Sequence, residues 1–279
     1  MTKKILVSTD LSKSSKAGIR FAIQLARQNG SALIFYHVLE ILKPTEWSAR
    51  RFSNFAENEI KVAGDNLSSF IASIYKQAGV KPGKHEFVVQ MGSPVDRTIL
   101  QYSVERKVDF ICMGTRGAGV IRRLVGTYTS SVLKNSQIPV FAVPQNYRME
   151  KITHILYSSD LTGLESELKK VKDFAHSVNS RLSVLHYEYL YQLREIKAKF
   201  EKIARRNSES GVNFYFQDLE LDNTLNAHLM KAMRKFRPSL VILFTRQNRD
   251  WFEQLYSSSL SARASYTTKK PLLIFSKKA

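Results

Sequence analysis

Short apolar runs alternate with amphipathic segments along the first 150 residues. Each apolar run has the length and composition of a buried strand. The segments between them have helical spacing; Ile19, Ala22 and Ile23, for example, share one face of a helix that ends near Gly30. Strands that alternate with helices predict right-handed crossovers and a parallel sheet. The predicted strands are residues 4–10, 32–38, 87–89, 108–114 and 138–143.

Polar residues and glycines mark the ends of the predicted helices. Ser12, Ser14 and Ser15 are candidate caps for the first helix. A long polar helix over residues 48–77 is closed by Gly79. The turn over residues 92–94 starts a third helix, with Ser93 as cap, Pro94 at the first position and Val95, Ile99 and Tyr102 facing inward.

The second half of the chain repeats this plan. Residues 154–161 match residues 4–11 position for position, and residues 180–186 resemble residues 31–37. Residues 239–246 parallel residues 109–116, and residues 270–275 parallel residues 137–142, both allowing a slip of one position. We therefore predict two α/β domains in tandem, 1–146 and 147–279, joined through a short polar linker near residues 144–150.

Composition excludes some classes of protein and leaves others open. No run of 18 apolar residues is present, so no membrane span is expected, and the short apolar stretch after residue 4 is not of the secretory type, so we expect a cytoplasmic protein. The single cysteine, Cys112, lies within a predicted strand and is expected in the core. The net charge of +19 is divided evenly, with +10 in residues 1–150 and +9 in residues 151–279. An evenly basic surface without a basic tail makes nucleic acid an unlikely partner.

A glycine-rich stretch follows the fourth predicted strand and is the strongest candidate for a binding site. Gly114 and Gly117 lie in one turn, and Gly126 precedes a run of hydroxyl residues. Glycines let backbone N–H groups approach a ligand, and N–H groups at a helix start favour anions. Thr127, Thr129 and Ser130 can cap the fourth helix, donate to phosphate oxygens, or do both. The stretch therefore predicts a loop that binds phosphate.

Three features resemble the universal stress protein family in its tandem form. They are the strand ending Ser8-Thr9-Asp10, the turn over residues 92–94, and the loop after the fourth strand. Nucleotide-binding members of that family carry Gly-x2-Gly-x9-Gly-(Ser/Thr) in this loop. This chain places only eight residues between Gly117 and Gly126, and it has Tyr128 where the family has a smaller residue. The resemblance covers nearly the whole chain.

The resemblance implies a fold and a ligand. The fold is two tandem doubly wound parallel five-stranded sheets of strand order 3-2-1-4-5, of the adenine nucleotide alpha hydrolase-like type. The ligand is ATP or another adenine nucleotide, which Mg²⁺ can accompany. The reversal of direction between strands one and four leaves a crevice at their carboxyl ends. The nucleotide-binding residues implied for this sequence are Ser8, Thr9, Asp10, Val38, Met113, Gly114, Arg116, Gly117, Gly126, Thr127 and Tyr128.

Each implied role has a structural alternative. Asp10 can bind the adenine amino group or a ribose hydroxyl, or it can cap the first helix; Val38 can pack against adenine or belong to the core. Arg116, like Arg122 and Arg123 further along the loop, adds positive charge near phosphates or is solvated. His37 and its counterpart in the second half, His186, have no partner cluster and are predicted to be structural, so no metal site is expected.

The second half lacks the loop glycines. Residues 247–252 contain no glycine, although the hydroxyl run at residues 256–259 remains. We expect this half not to bind ATP and to serve as the partner of the first half in an intramolecular pseudo-dimer, with a homodimer as a further possibility. No P-loop and no nucleophile elbow is present, so slow hydrolysis or none is expected. The main alternative is an interaction protein with a vestigial loop; a hydrolase and a nucleic-acid-binding protein are weaker ones.

Overall fold

The computed structural model describes residues 2–115, 127–189, 193–207, 211–219, 225–245 and 270–277. It divides into two units, Met1–Met149 and Glu150–Ala279. Each unit is an α/β structure built around a parallel sheet.

The first unit contains a five-stranded sheet of order β3-β2-β1-β4-β5, in which every neighbouring pair is parallel. This order is the one that the family resemblance implied, and it is confirmed. Strands β2 and β3 are added on one side of β1, and β4 and β5 on the other, so the strand order reverses between β1 and β4. The elements are β1 (Lys4–Ser8), α1 (Lys16–Asn29), β2 (Ala32–Leu39), α2 (Ala49–Ala78), β3 (His85–Met91), α3 (Val95–Glu105), β4 (Phe110–Gly114), α4 (Thr127–Asn135) and β5 (Val140–Val143).

Local sequence determines where two of these helices begin and end. The Ser48 hydroxyl accepts a hydrogen bond from the backbone N–H of Arg51 at 3.2 Å and caps α2, close to where the predicted helix begins. Gly79 ends α2 and Gly30 ends α1, with φ of +64° and +73°, a left-handed conformation that favours glycine.

Two predicted caps are wrong because their hydroxyls bind elsewhere. Pro94, not Ser93, occupies the N-cap position of α3, and the Ser93 hydroxyl donates instead to Glu40 at 2.9 Å. Ser15 precedes α1 without capping it, and its hydroxyl bonds to the Thr9 hydroxyl at 2.8 Å. Both serines are thereby directed toward the carboxyl ends of the central strands.

The central strands form the core of the first unit. Ile5, Leu6 and Val7 of β1 are completely buried, which explains the unbroken apolar run in the sequence. Cys112 of β4 is also completely buried, and its thiol donates to the carbonyl of Gly18 at 3.3 Å. Its burial confirms that Cys112 is a core residue, as the sequence predicted. Burial also raises the pKa of the thiol.

The second unit repeats the arrangement. Its sheet has the order β8-β7-β6-β9-β10, again with parallel neighbours, so β6 takes the central place that β1 has in the first unit. No helix in the described part of the chain is long and apolar enough to cross a membrane. The elements are β6 (His154–Ser159), α5 (Leu164–Ser177), β7 (Arg181–Tyr189), α6 (Leu193–Arg206), β8 (Val212–Leu219), α7 (Leu225–Phe236), β9 (Leu240–Thr245) and β10 (Leu272–Ser276).

We expect His154 of β6 to make the stability of the second unit depend on pH. Its Nδ1 donates to the carbonyl of Phe236 at 3.0 Å, and its Nε2 accepts from the Ser183 hydroxyl at 2.8 Å. Desolvation by burial lowers the pKa of His154. The unfolded chain therefore binds the proton more readily, so the stabilisation is fully present above about pH 6.5 and is lost as the pH falls below that value.

We expect His154→Gln to flatten this pH dependence in urea unfolding measured between pH 5 and 7.5. His176→Gln, at an exposed position in the last turn of α5, is the matched control and retains the wild-type slope. Equal slopes in the two variants would contradict the assignment.

Candidate functional site

A cleft of about 430 Å³ lies at the carboxyl ends of β1, β2 and β4. This is the position at which the strand order of the first sheet reverses, and ligands of doubly wound sheets bind in such crevices. The lining combines apolar side chains with hydroxyls and carboxylates. The lining residues are Ser8, Thr9, Asp10, Ser14, Ser15, Val38, Glu40, Val95, Ile99, Met113, Gly114, Tyr128 and Thr129.

Most of the predicted site residues lie in this cleft. The sequence-predicted residues that line it are Ser8, Thr9, Asp10, Val38, Met113, Gly114 and Tyr128. Thr127 begins α4 beside them. Arg116, Gly117 and Gly126 lie outside the described residues, as do Arg122, Arg123 and the hydroxyl run at 256–259 of the second half.

Asp10 belongs to the turn after β1 and does not cap the first helix. Its Oδ1 accepts the backbone N–H of Ser12 at 3.1 Å, whereas α1 begins only at Lys16. Partial burial of the carboxyl raises its pKa, but hydrogen bonds from Ser12, Ser15 and its own backbone together outweigh burial, so the pKa of Asp10 lies below its usual value. Asp10 is therefore an ionised acceptor at the edge of the cleft.

Gly114 allows β4 to approach the turn before α1. A Cβ atom at this position would lie 2.8 Å from the carbonyl oxygen of Ser14, closer than real Cβ atoms come. A Cβ atom on Gly18 would lie 2.9 Å from the backbone nitrogen of Gly114. The Thr129 hydroxyl donates to the Gly114 carbonyl at 3.3 Å, which brings the start of α4 to the end of β4. The glycine thus has a packing role whether or not a ligand is bound.

Glu40 is a lining residue that the sequence analysis missed. It lies two positions after Val38, and alternation along an extended strand is the signal that points to the same side of the sheet. Its Oε1 accepts the Ser93 hydroxyl at 2.9 Å and its Oε2 accepts the Tyr128 hydroxyl at 3.1 Å. The hydrogen bond to Glu40 raises the pKa of Tyr128, which keeps its proton.

The described lining contains both carboxylates and apolar side chains. Asp10 and Glu40 are carboxylates, and none of the described lining residues is Lys or Arg. Val38, Ile99 and Met113 contribute to the apolar part of the lining. Among the described residues, no group of three His, Cys, Asp or Glu could hold a metal ion. This lining suits a flat apolar ring with hydroxyl or amino donors at its edge.

The turn after the first strand is duplicated in the second unit in atomic detail. Thr162 N–H donates to Asp160 Oδ1 at 2.9 Å, as Ser12 N–H does to Asp10. Leu161 has φ of +63°, matching +59° at Leu11. The two turns therefore have the same conformation.

A histidine at the equivalent position of each unit supports its turn. His186 Nδ1 donates to the Ser159 carbonyl at 2.8 Å, and His37 Nδ1 donates to the Thr9 carbonyl at 2.9 Å. These bonds give both histidines a structural role.

The second unit carries a large side chain at the strand position that corresponds to Gly114. Strand pairing places Met113 beside Ser8 and Leu243 beside Ser158, so Phe244 is the counterpart of Gly114. The Phe244 ring stacks on Phe275, with centroids 4.7 Å apart. A phenylalanine therefore stands where the first unit has no side chain.

A lysine pairs with the carboxylate of the corresponding turn in the second unit. Lys277 Nζ lies 2.5 Å from Asp160 Oδ1 and 3.1 Å from Glu167 Oε1, and the Tyr157 hydroxyl also donates to Glu167. The Lys277 and Glu167 side chains are each only 8% exposed. The carboxylate that corresponds to Asp10 is therefore already paired within the chain.

The fold and the cleft define a doubly wound α/β protein with a ligand crevice at the switch point of its first sheet. The model of the universal stress protein family matches residues 1–144. Because this match covers half of the sequence, the chain belongs to the universal stress protein family. No curated protein matches the sequence.

Solved structures share this fold. A universal stress protein from Archaeoglobus fulgidus DSM 4304 is 16% identical, with 98% of each chain covered and a TM-score of 0.69. A functionally unknown protein from Pseudomonas aeruginosa PAO1 is 12% identical over 99% of this chain and 92% of its own, with a TM-score of 0.57. A universal stress protein in complex with cAMP matches 53% of this chain and 98% of its own at 20% identity, with a TM-score of 0.36. At these identities the first two likenesses indicate the fold.

Proposed function

We propose that the chain is a stress-response protein that binds one ATP, or a related adenine nucleotide, in the cleft of its first unit. The observation that carries this proposal is the convergence of Asp10, Val38 and Gly114 on one crevice at the switch point of the sheet. In this proposal the adenine packs against the apolar lining residues, and Asp10 accepts a hydrogen bond from the sugar or the base. The phosphates lie toward the start of α4 at Thr127, because the backbone N–H groups of a first helical turn favour anions, and Mg²⁺ can accompany the phosphates.

The other parts of the proposal concern the second unit, the location and oligomeric state of the protein, and ATP hydrolysis. The second unit does not bind nucleotide, because Phe244 replaces the glycine of the first unit and Lys277 is paired with the carboxylate that corresponds to Asp10. It serves as the pseudo-dimer partner of the first unit. The protein acts in the cytoplasm, alone or as a homodimer, and hydrolyses ATP slowly or not at all. Sedimentation of the chain with and without ATP distinguishes the monomer from the homodimer.

Calorimetric titration with ATP tests the binding site. We expect a stoichiometry near one, and we expect Asp10→Asn to weaken binding about 10- to 100-fold, because a hydrogen bond to a charged acceptor is lost. Asp160→Asn is the matched control, since Asp160 occupies the same turn of the second unit. It leaves the affinity unchanged. A stoichiometry of two, or equal effects of the two variants, would count against this site.

A nucleotide-independent interaction protein is the second candidate. The observation in its favour is the hydrogen bond from Tyr128 to Glu40, which joins the start of α4 to the end of β2 across the cleft. Denaturing freshly purified protein and examining the supernatant for an adenine chromophore distinguishes the two functions. Released nucleotide supports the first candidate. No chromophore together with no thermal shift on adding ATP supports the second.

A further inference from the structure

Strand β3 is an open edge of the first sheet. Among the described residues it pairs with β2 alone, in an unbroken parallel register of residues 85–91 with residues 33–39. Its other side therefore carries backbone N–H and C=O groups that join no ladder within the described chain. Such an edge is a template for a further strand unless the protein covers or guards it.

The sequence of β3 does not guard this edge. The strand contains no proline, lysine or arginine, and its one acidic residue, Glu86, is paired with Arg106 at 2.6 Å. Prolines and lysines are devices by which edge strands avoid pairing. The edge of β3 is therefore free to accept another strand.

Apolar side chains are exposed along the same strand. Phe87 and Met91 are 40% and 37% exposed, and alternation along a strand places both on one face of the sheet. This face carries α2, because the Phe87 ring stacks on Phe35, which in turn contacts Tyr75 of α2.

Strand β8, the edge of the second sheet, does not share this exposure. Its Phe214, Tyr215 and Phe216 are half-buried. Phe200 of α6 packs on Phe214 and Phe216, with ring centroids 5.7 and 5.6 Å apart. Exposed apolar residues are therefore not a general property of edge strands in this chain.

The chemistry of the β3 edge favours a second copy of the chain as its partner. A charged peptide would find no complementary charge there, since Glu86 is already paired with Arg106. Antiparallel pairing of β3 with itself about a twofold axis at Val88 sets Phe87 opposite Val89 of the second copy. No like charges are opposite each other in this register, and apolar residues meet on the α2 side.

Gln90 supplies the hydrogen-bond donor that the same register requires. Its Oε1 accepts the Tyr36 hydroxyl at 2.8 Å, and no described residue accepts from its amide nitrogen. The register sets Gln90 opposite Glu86 of the second copy, whose carboxylate can accept that donor beside Arg106. Twofold symmetry makes this contact twice.

We propose that β3 is the interface of a homodimer, formed by antiparallel pairing of two copies about a twofold axis at Val88. The inference specifies which surface forms the homodimer of the proposed function, and it is independent of nucleotide binding. Long-range repulsion opposes this association, because each copy has a net charge of +19. Salt screens the repulsion, so the dimer tightens as salt rises, whereas binding to an acidic partner weakens.

Sedimentation velocity of the full chain over about 1–100 µM measures this association. We expect a concentration-dependent dimer whose affinity increases at least about threefold between about 0.05 and 0.5 M salt. A chain that remains monomeric at the highest concentration and salt overturns the interface and leaves nucleotide binding unaffected. An affinity that falls with salt also overturns it.

Three lysine substitutions locate the interface. Phe87→Lys places two like charges diagonally across the axis and is expected to weaken the dimer at least about 100-fold, and Met91→Lys, farther from the axis, about tenfold. Val104→Lys is the matched control, because it adds the same charge at a 65% exposed apolar position of α3 and leaves the dimer unchanged. Equal effects of Met91→Lys and Val104→Lys would reflect general repulsion and overturn the proposal.

Val88→Cys tests the register even if Phe87→Lys does not fold. Residues directly opposite in an antiparallel pair have Cα atoms about 4.5–5.5 Å apart, a span that a disulfide bridges. Mild oxidation is expected to join two copies of Val88→Cys but not of Val104→Cys, and the native Cys112 is completely buried and does not react. Equal cross-linking of the two variants, or none in Val88→Cys, overturns the antiparallel pairing.

Discussion

Gly114→Ala is expected to lower nucleotide affinity about 10- to 100-fold and to lower the free energy of unfolding of the first unit by about 1–3 kcal/mol. The added methyl group would lie 2.8 Å from the backbone carbonyl oxygen of Ser14, which cannot move as a side-chain tip can. The turn after β1 must shift away from β4, and Ser14 and Ser15 of the cleft lining shift with it. Calorimetric titration and urea unfolding measure the two effects.

Gly64→Ala is the matched control for this variant. Gly64 lies within α2, and a Cβ atom there would meet nothing within 4 Å. Alanine in an open helical position stabilises the fold by about 0.5–1 kcal/mol and leaves the affinity as it was. Wild-type affinity in Gly114→Ala would show that the approach of β4 to the turn does not shape the binding site.

Lys277→Met is expected to destabilise the second unit by about 3 kcal/mol, because it leaves the buried Glu167 carboxylate without its cation. The two side chains are both 8% exposed, and their charged atoms lie 3.1 Å apart. Hydrogen exchange of the β6 and β10 amides, followed by mass spectrometry, measures the loss within this unit.

The pair Lys270 and Glu150 provides the comparison. These side chains are 31% and 44% exposed, so Lys270→Met costs about 0–1 kcal/mol. Lys277→Met combined with Glu167→Gln regains part of the loss, because the uncompensated charge is then gone. Equal protection in Lys277→Met and Lys270→Met would refute the buried-pair interpretation.

Elements with local determinants could be predicted from the sequence. The capping hydroxyl of Ser48 and the left-handed glycines at positions 30 and 79 act within a few residues, so both ends of α2 were predicted closely. Strand β3 extends over His85–Met91, well beyond the predicted residues 87–89. Its position at the edge of the sheet leaves Glu86 and Phe87 exposed, and an edge strand lacks the apolar run that identifies a buried one.

The residues of the candidate site also fall into those that the sequence could predict and those that it could not. Asp10, Val38 and Gly114 end predicted strands, so parallel pairing alone brings them to one edge of the sheet. Glu40 and Ser93 could not be found, because their hydrogen bond joins residues 53 positions apart at the end of one strand and the start of a helix. Lys277 is 117 residues from Asp160, and only the folded sheet brings the two together.

Because the turn is duplicated, each position in the first half can be compared with a matched position in the second half of the same molecule. Positions where both halves agree, such as His37 and His186, serve the architecture, since both histidines hold the same turn although the neighbouring strand positions differ. Positions where the halves differ, such as Gly114 and Phe244, are those at which we expect ligand requirements to differ. Exchanging residues between matched positions of one molecule can therefore separate folding requirements from ligand requirements without reference to any other protein.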